Sequence, residues 1–328
     1  MNGPVLEVID QRTAFETSRG LLRAVDGVSL TLHRGRTLGI VGESGCGKSI
    51  LARSIMRLLP RTARIGPGSQ LLFEGEDLMQ ASEHRLRAIR GRHMAIVFQD
   101  PMTSLNPVMT VGAQIAESLT HHLGMSRHAA WSRATALLAD VGLPQPEMRV
   151  SQYPHQLSGG MRQRVAIAIA LACEPSLLIA DEPTTALDVT VQADILDLLQ
   201  RQQRERNMAM ILITHDLGVV ASRTDEVAVM YAGRIVEQAP TRALFKSARM
   251  PYTHALLGSI PRLEAESRGR LAVIEGRPPD LIRPPPGCSF APRCSRAGAR
   301  CRLEPPQLTG EGSHSFSCWN PLPAEAAA

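Results

Sequence analysis

The run Gly42-Glu43-Ser44-Gly45-Cys46-Gly47-Lys48-Ser49 fits the pattern G-x-x-x-x-G-K-[ST]. It lies between residues 37–41, a short β-forming run, and residues 48–59, which read as a helix closed by Pro60. That strand–loop–helix order turns a row of backbone N–H groups and the positive end of a helix towards one phosphate. A chain built around such a loop is confined to α/β folds in which strands and helices alternate. In this setting Lys48 reaches the β/γ oxygens of a nucleotide and Ser49 ligates Mg²⁺. Gly42, Glu43, Ser44, Gly45, Cys46, Gly47 and Ile50 complete the contact. Cys46 reads as a small loop residue rather than a redox centre.

The alternation continues. Residues 94–98 form a strand ending at Gln99, and residues 177–180 are an apolar strand ending in Asp181-Glu182. Residues 210–213 lead into Thr214-His215, and residues 227–231 repeat the pattern. Helices are expected at 162–172 and 189–204. The result is an α/β fold with a mainly parallel sheet covered on both faces, preceded by early strands at 5–9 and 28–32. From Pro101 to about Pro154 the character is helical. Val111, Ile115, Leu119 and Leu123 recur every four residues, and residues 135–141 suggest a further helix. The expected organisation is a domain over 1–250, with an inserted helical subdomain at about 101–156, and a C-terminal extension over 251–328.

A second anion site is written in Leu157-Ser158-Gly159-Gly160-Met161-Arg162-Gln163-Arg164. Ser158 offers a hydroxyl, and Gly159 and Gly160 carry no Cβ, so backbone can approach a phosphate. The following apolar run presents its helix N-terminus. Two phosphate sites on different helices of one chain predict that two chains share each nucleotide. At the strand ends, Asp181 fits a Mg²⁺-holding carboxylate and Glu182 a base that polarises the attacking water. His215 is placed to donate to a γ-phosphate, and Gln99 to touch Mg²⁺ or the water. Asp188 fits a helix cap that also crosses to a partner subunit. Phe15 is the expected adenine-stacking residue, with Leu21 and Leu22 as alternatives.

Composition narrows the field. The 328 residues are 44% apolar, enough for a real core, and carry a formal net charge of +5 with no dense basic block. Aromatics are 3%, too few for base-stacking platforms, so no nucleic-acid partner is expected. Only Lys48 and Lys246 among the 36 basic residues are lysine. Met1-Asn2-Gly3-Pro4 lacks the basic start of a signal peptide, and no apolar run nears the ~18–20 residues of a membrane span. A cytosolic placement with reduced or metal-bound cysteines is the expectation.

Together these residues resemble the ATP-binding subunits of ABC transporters. The segments around Gly42–Ser49, Gln99, Leu157–Arg164, Asp181-Glu182-Pro183, Ala186-Leu187-Asp188 and His215 match, in order, that family's Walker A, Q-loop, signature, Walker B, D-loop and H-switch. The likeness spans about residues 5–245 and implies a phosphate-loop NTPase fold with N-terminal antiparallel strands. Within the family, three strings resemble the oligopeptide/dipeptide importer branch: Ile40-Val41-Gly42-Glu43-Ser44-Gly45, Phe98-Gln99-Asp100-Pro101-Met102-Thr103-Ser104-Leu105-Asn106-Pro107, and Tyr153-Pro154-His155-Gln156-Leu157-Ser158-Gly159-Gly160-Met161. Pro251-Tyr252-Thr253 resembles its C-terminal extension, with Met250 where the branch usually has His. The resemblance implies an ATPase on the cytoplasmic face of the cell membrane. Its implied partners are a second ABC ATPase subunit, often a paralogue, two transmembrane permeases and an extracytoplasmic peptide-binding protein. The rival is a soluble ABC ATPase, with iron–sulfur assembly as its one surviving form.

Behind the proline-rich segments 277–279 and 284–286, read as a semi-rigid linker, stand Cys288, Cys294, Cys301 and Cys318. Their separations of five, six and sixteen residues lack the Cys-x-x-Cys pairs usual for structural zinc. A metal site is the reading, with His314 as an alternative to one ligand. The string Gly287-Cys288-Ser289-Phe290-Ala291-Pro292-Arg293-Cys294 resembles the C-terminal module of peptide-importer ATPases, which implies a 4Fe-4S cluster on the four cysteines. Zinc and free thiols are the alternatives.

Overall fold

The computed structural model describes residues 3–100, 104–185, 187–259 and 274–323; residues 101–103 and 186 of the motif strings lie outside them. The chain divides into two compact units, one of residues 1–5, 32–36 and 80–213, the other of residues 6–31, 37–79 and 214–328.

In the first unit, Leu177–Asp181 is the middle of three parallel strands, flanked by Met94–Val97 and Ala209–Ile213. Leu177 to Ala180 are wholly buried. A parallel strand is covered on both faces, so it reads as an unbroken apolar run rather than an alternation. The helical insertion is present as Val111–Leu123, Arg127–Asp140 and Pro146–Arg149. Thr110 and Ser126 cap the first two, their hydroxyls accepting the Ala113 and Ala129 N–H groups at 3.3 Å. Val111, Ile115 and Leu119 face inward as their spacing predicts, whereas Leu123, last before Gly124, is 45% exposed. Arg164 donates to the Val141 carbonyl at 2.6 Å, tying the insertion to helix Gly159–Leu171.

In the second unit, Leu6–Thr17 and Gly20–Leu32 pair along a five-stranded sheet with Ala63–Ile65, Gln70–Phe73 and Glu76–Asp77. Short strands at 5–9 and 28–32 were expected; the two run to 12 and 13 residues. The hidden part carries charges that interrupt an apolar reading. Arg12 bridges Asp10 at 2.8 Å and Asp26 at 2.6 Å, so these charges stabilise the strands they obscure. The helix expected over 48–59 stops at Ile55, because Arg57 turns left-handed (φ 54°) and donates to the Leu78 carbonyl at 3.1 Å.

Thr37–Val41 lies parallel to Glu226–Tyr231, which pairs antiparallel with Arg234–Pro240. His314–Phe316 and Thr309–Glu311 add two more antiparallel strands, absent from the sequence reading because each spans three residues. Tyr231, Tyr252 and Phe290 form an aromatic knot in this core, with ring centroids 4.5, 5.4 and 5.3 Å apart. The segment expected to be a linker is docked instead: Leu281 accepts the Arg23 N–H at 3.2 Å, and Asp280 pairs with Arg19 at 2.7 Å.

Glu237, with no exposed surface, accepts the Arg249 and Met250 N–H groups at 2.6 and 3.0 Å and lies 2.7 Å from His314 Nε2. Removing one partner leaves a buried carboxylate oxygen under-satisfied. His314→Ala is expected to destabilise the chain by about 1–3 kcal/mol in urea unfolding; an unchanged midpoint would show that the pair contributes nothing.

Candidate active site

In the second unit the phosphate loop closes on its own backbone. Gly42 and Gly47 hold φ values of 152° and 108°. A Cβ on either would overlap a carbonyl oxygen, of Met230 at Gly42 and of Ala24 at Gly47. Glycine is therefore required twice, by conformation and by close approach. Gly47 stands at the N-terminus of helix Lys48–Ile55. Lys48 is 5% exposed, and its ammonium donates to the Gly42 and Glu43 carbonyls at 2.8 and 3.1 Å, which centres the charge in the loop. Cys46 is buried, its N–H donates to the Glu43 carbonyl, and burial pushes its thiol up, as suits a packing residue. Ser44 and Gly45 are exposed at the loop crest, and Ser49 and Ile50 are half-buried on the first helical turn.

Two partners of the loop were not read from the sequence. The Glu43 N–H donates to the Tyr252 hydroxyl at 3.0 Å, and the Glu43 carboxylate receives Arg293 at 2.7 and 2.8 Å. Both come from more than 200 residues downstream, which no local pattern signals. In the same unit, Thr214 donates its N–H to the Ile40 carbonyl at 3.3 Å, and the next residue, His215, is exposed. Asp216 caps helix Leu217–Arg223. Phe15 is half-buried on strand Leu6–Thr17, opposite Ala63, and Leu21 is exposed.

In the first unit, Asp181 is buried at the end of its strand, and Glu182 turns left-handed (φ 48°) with its N–H on the Ile213 carbonyl. One carboxylate oxygen, Glu182 Oε2, accepts both Gln99 Nε2 at 2.9 Å and Thr185 Oγ1 at 3.0 Å. The structure thus joins Gln99 to Glu182, two residues the sequence placed at separate strand ends, and adds Thr185. With two donors on one oxygen, the carboxylate is held in a single orientation.

Ser158 caps helix Gly159–Leu171, its hydroxyl accepting the Met161 N–H at 3.4 Å. Neither Gly159 nor Gly160 takes a positive φ. A Cβ at Gly160 would press on Val191 at 2.7 Å, so packing against helix Val189–Glu205 also demands the glycine. Gln163 is 1% exposed, and its Nε2 has no acceptor among the described residues. Asp188 is exposed and caps Val189–Glu205 through the Val191 N–H at 2.9 Å, the cap expected of it.

The four C-terminal cysteines line one pocket. Burial pushes the thiols of Cys288 and Cys294 up, and that of Cys318 up to about 11. Asn320 Nδ2 stands 3.6 Å from Cys301 Sγ. His314, the alternative ligand, is engaged by Glu237 instead. Among the described residues no three His, Cys, Asp or Glu side chains are gathered tightly enough to hold a metal ion as they stand.

The ABC transporter family matches residues 25–185, and the oligopeptide/dipeptide transporter C-terminal region matches residues 236–301. The chain is 50% identical over 316 residues to the dipeptide transport ATP-binding protein DppD of Bacillus subtilis, covering 96% of this chain and 94% of that protein. It is 48% identical over 318 residues to the oligopeptide transport ATP-binding protein OppD of Salmonella typhimurium, covering 97% and 94%. The chain belongs to the ABC transporter ATP-binding subunits, in their peptide-transport branch. A dimeric ATP-binding cassette in a post-hydrolysis state, bound to ADP and phosphate, is similar in structure: TM-score 0.65 and 26% identity over 72% of this chain and 99% of that one. The soluble rival is not favoured by these relatives, and the chain is an ATPase of this family.

Thr185→Val removes one donor to Glu182 Oε2 and keeps the side-chain volume. The expected outcome is a kcat for ATP hydrolysis lower by about tenfold, the equivalent of one hydrogen bond of about 1.4 kcal/mol, with KM little changed and activity restored in Thr185→Ser. Parent-like turnover in Thr185→Val would remove Thr185 from the site.

Proposed function

We propose that the chain binds MgATP and hydrolyses it to drive import of di- and oligopeptides across the cytoplasmic membrane. The observation that carries this reading is near-half identity, over almost the whole length of both proteins, to named dipeptide and oligopeptide transport ATP-binding proteins. Among the described residues no helix is long and apolar enough to cross a membrane. The path is therefore assigned to two permease subunits, with this chain peripheral on their cytoplasmic side and an extracytoplasmic binding protein delivering the peptide.

In this reading residues 42–49 and Ile50 hold the phosphates, with Lys48 on the β/γ oxygens and Phe15 against adenine. Ser49, Asp181 and Gln99 serve Mg²⁺. Glu182, oriented by Gln99 and Thr185, takes a proton from the attacking water, and His215 donates to the γ-phosphate. Ser158, Gly159, Gly160 and Gln163 close on nucleotide held by a second ABC subunit, a paralogue of this one, and Asp188 crosses at the same interface. The domain division at residue 250 and the helical subdomain as transmitter of motion to the permease belong to this proposal.

The four-cysteine pocket is proposed to hold a 4Fe-4S cluster. Bound there, the cluster supplies an electron-accepting centre or a rigid cross-link; the chain's own contribution is four partly or fully buried sulfurs, backbone N–H groups and the Asn320 amide.

Three measurements test these readings. Glu182→Gln is expected to bind MgATP at near-parent affinity while losing about 10²–10⁴-fold in kcat; retained hydrolysis would remove Glu182 as base. Ser158→Arg in the reconstituted transporter should abolish peptide uptake yet leave ATP bound at this chain's own loop, and loss of that binding counts against a shared site. Anaerobically purified chain should show a broad violet absorption lost in Cys294→Ser, whereas a colourless, zinc-loaded protein refutes the cluster.

A further inference from the structure

Arg293 is a fully engaged side chain beside the phosphate loop. It is 4% exposed, and five hydrogen bonds use its five N–H donors. Nη1 and Nη2 fork onto the two Glu43 carboxylate oxygens at 2.7 and 2.8 Å. Nη1 also reaches the Tyr231 hydroxyl at 3.2 Å, Nη2 the Ile274 carbonyl at 3.1 Å and Nε the Glu275 carbonyl at 2.9 Å. The carboxylate and the hydroxyl hold its pKa above the usual arginine value, so the charge is permanent. Glu43 is the second residue of the phosphate loop, and its carbonyl accepts from both Lys48 and Cys46. Fixing Glu43 therefore fixes the peptide on which the loop's ammonium is centred.

The backbone that carries Arg293 belongs to the cysteine pocket. Residues 288–294 form a tight turn: the Ala291 N–H donates to the Cys288 carbonyl, Arg293 to Phe290 and Cys294 to Ala291, at 2.9, 2.9 and 3.3 Å. Cys288 and Cys294 end that turn and line the pocket, and Cys288 is held by the Cys301 carbonyl at 2.8 Å. Pro278, Pro279 and Leu281 share a cleft with residues 43–46. The C-terminal segment thus reaches the phosphate loop by a charged fork and also lines a cleft with it.

We propose that Arg293 is a positioning residue for the nucleotide site, holding the phosphate loop through Glu43, and that the integrity of the four-cysteine pocket sets the affinity of this loop for MgATP. The proposal rests on the reading that residues 42–49 bind ATP. Because Arg293 lies in the turn that Cys288 and Cys294 close and is forked onto Glu43, displacement of those cysteines moves Arg293, and Glu43 with it. Lysine at 293 keeps the charge but has neither the planar fork nor the five donors.

The test is a set of MgATP titrations on the full chain, with KM and kcat measured in parallel. Arg293→Ala is expected to weaken binding on the order of tenfold, with KM raised and kcat little changed. Arg293→Lys should recover only part of this, and Glu43→Gln added to Arg293→Ala should cost nothing further. Cys294→Ser should weaken binding in the parent but not in the Arg293→Ala background. Should Cys294→Ser fail to fold, chelator treatment of the parent and of Arg293→Ala replaces it. Parent-like affinity in Arg293→Ala, or a Cys294→Ser or chelator effect undiminished in the Arg293→Ala background, overturns the proposal. Iron content and the violet absorption, read on the same samples, report separately on the cluster. A chain without iron sinks that assignment and leaves the Arg293–Glu43 cycle to decide this one.

Discussion

The contact on which the nucleotide site depends is backbone against backbone. Gly42 and Gly47 lie so close to the carbonyls of Met230 and Ala24 that no side chain fits between them. The two carbonyls come from strands of different sheets, Glu226–Tyr231 in the parallel-stranded sheet and Gly20–Leu32 in the N-terminal antiparallel one. The Asp26 N–H donates to the Gly233 carbonyl, and the Gly233 N–H to the Cys46 carbonyl, so one chain of hydrogen bonds ties loop, hairpin and strand turn together. A loop that must present its N–H groups to an anion has few ways to satisfy its remaining polar atoms. Here it does so through neighbouring main chain and through the Lys48 ammonium.

The other half of the chemistry is arranged by strand ends. Parallel strands finish on the same edge, so Gln99, two residues past Val97, and Glu182, one past Asp181, emerge side by side. That register makes their 2.9 Å hydrogen bond a product of topology rather than of sequence proximity. Thr185 completes the arrangement through the turn that also carries its N–H to the Glu182 carbonyl. The left-handed backbone at Glu182 is the local cost of turning the carboxylate towards those donors.

Legibility followed the range of the interactions. The parallel strands and the helices after residue 159 were readable because burial on both faces writes long apolar runs, and Asp188 marks a helix start through its own side chain. The loop motif was readable because a phosphate site needs fixed residue types at fixed spacing. What escaped were elements stabilised across the fold. The charged middle of the hairpin is paired by Arg12 with Asp10 and Asp26, and the three-residue strands at 309–316 exist by virtue of their partner Arg234–Pro240. Thr185 had a weak signal, a hydroxyl three residues past Glu182. Tyr252 and Arg293 had none at the loop they serve.

That last gap bears on why a cysteine-rich tail belongs to an ATPase at all. A free appendage would be joined by a linker, and the proline-rich composition of residues 277–286 invites that view. The segment is instead pinned at Arg23 and Arg19 and packed beside the phosphate loop. Tyr252 and Phe290, from either side of it, fill the same core as Tyr231 and Val41. Val41 immediately precedes Gly42, and Cys288, Cys294 and Cys318 pack on that same cluster. The sulfurs, the aromatic knot and the root of the phosphate loop therefore share one packed volume, and close-packed interiors transmit displacement rather than absorb it. In such an arrangement the C-terminal segment is part of the wall that gives the loop its shape.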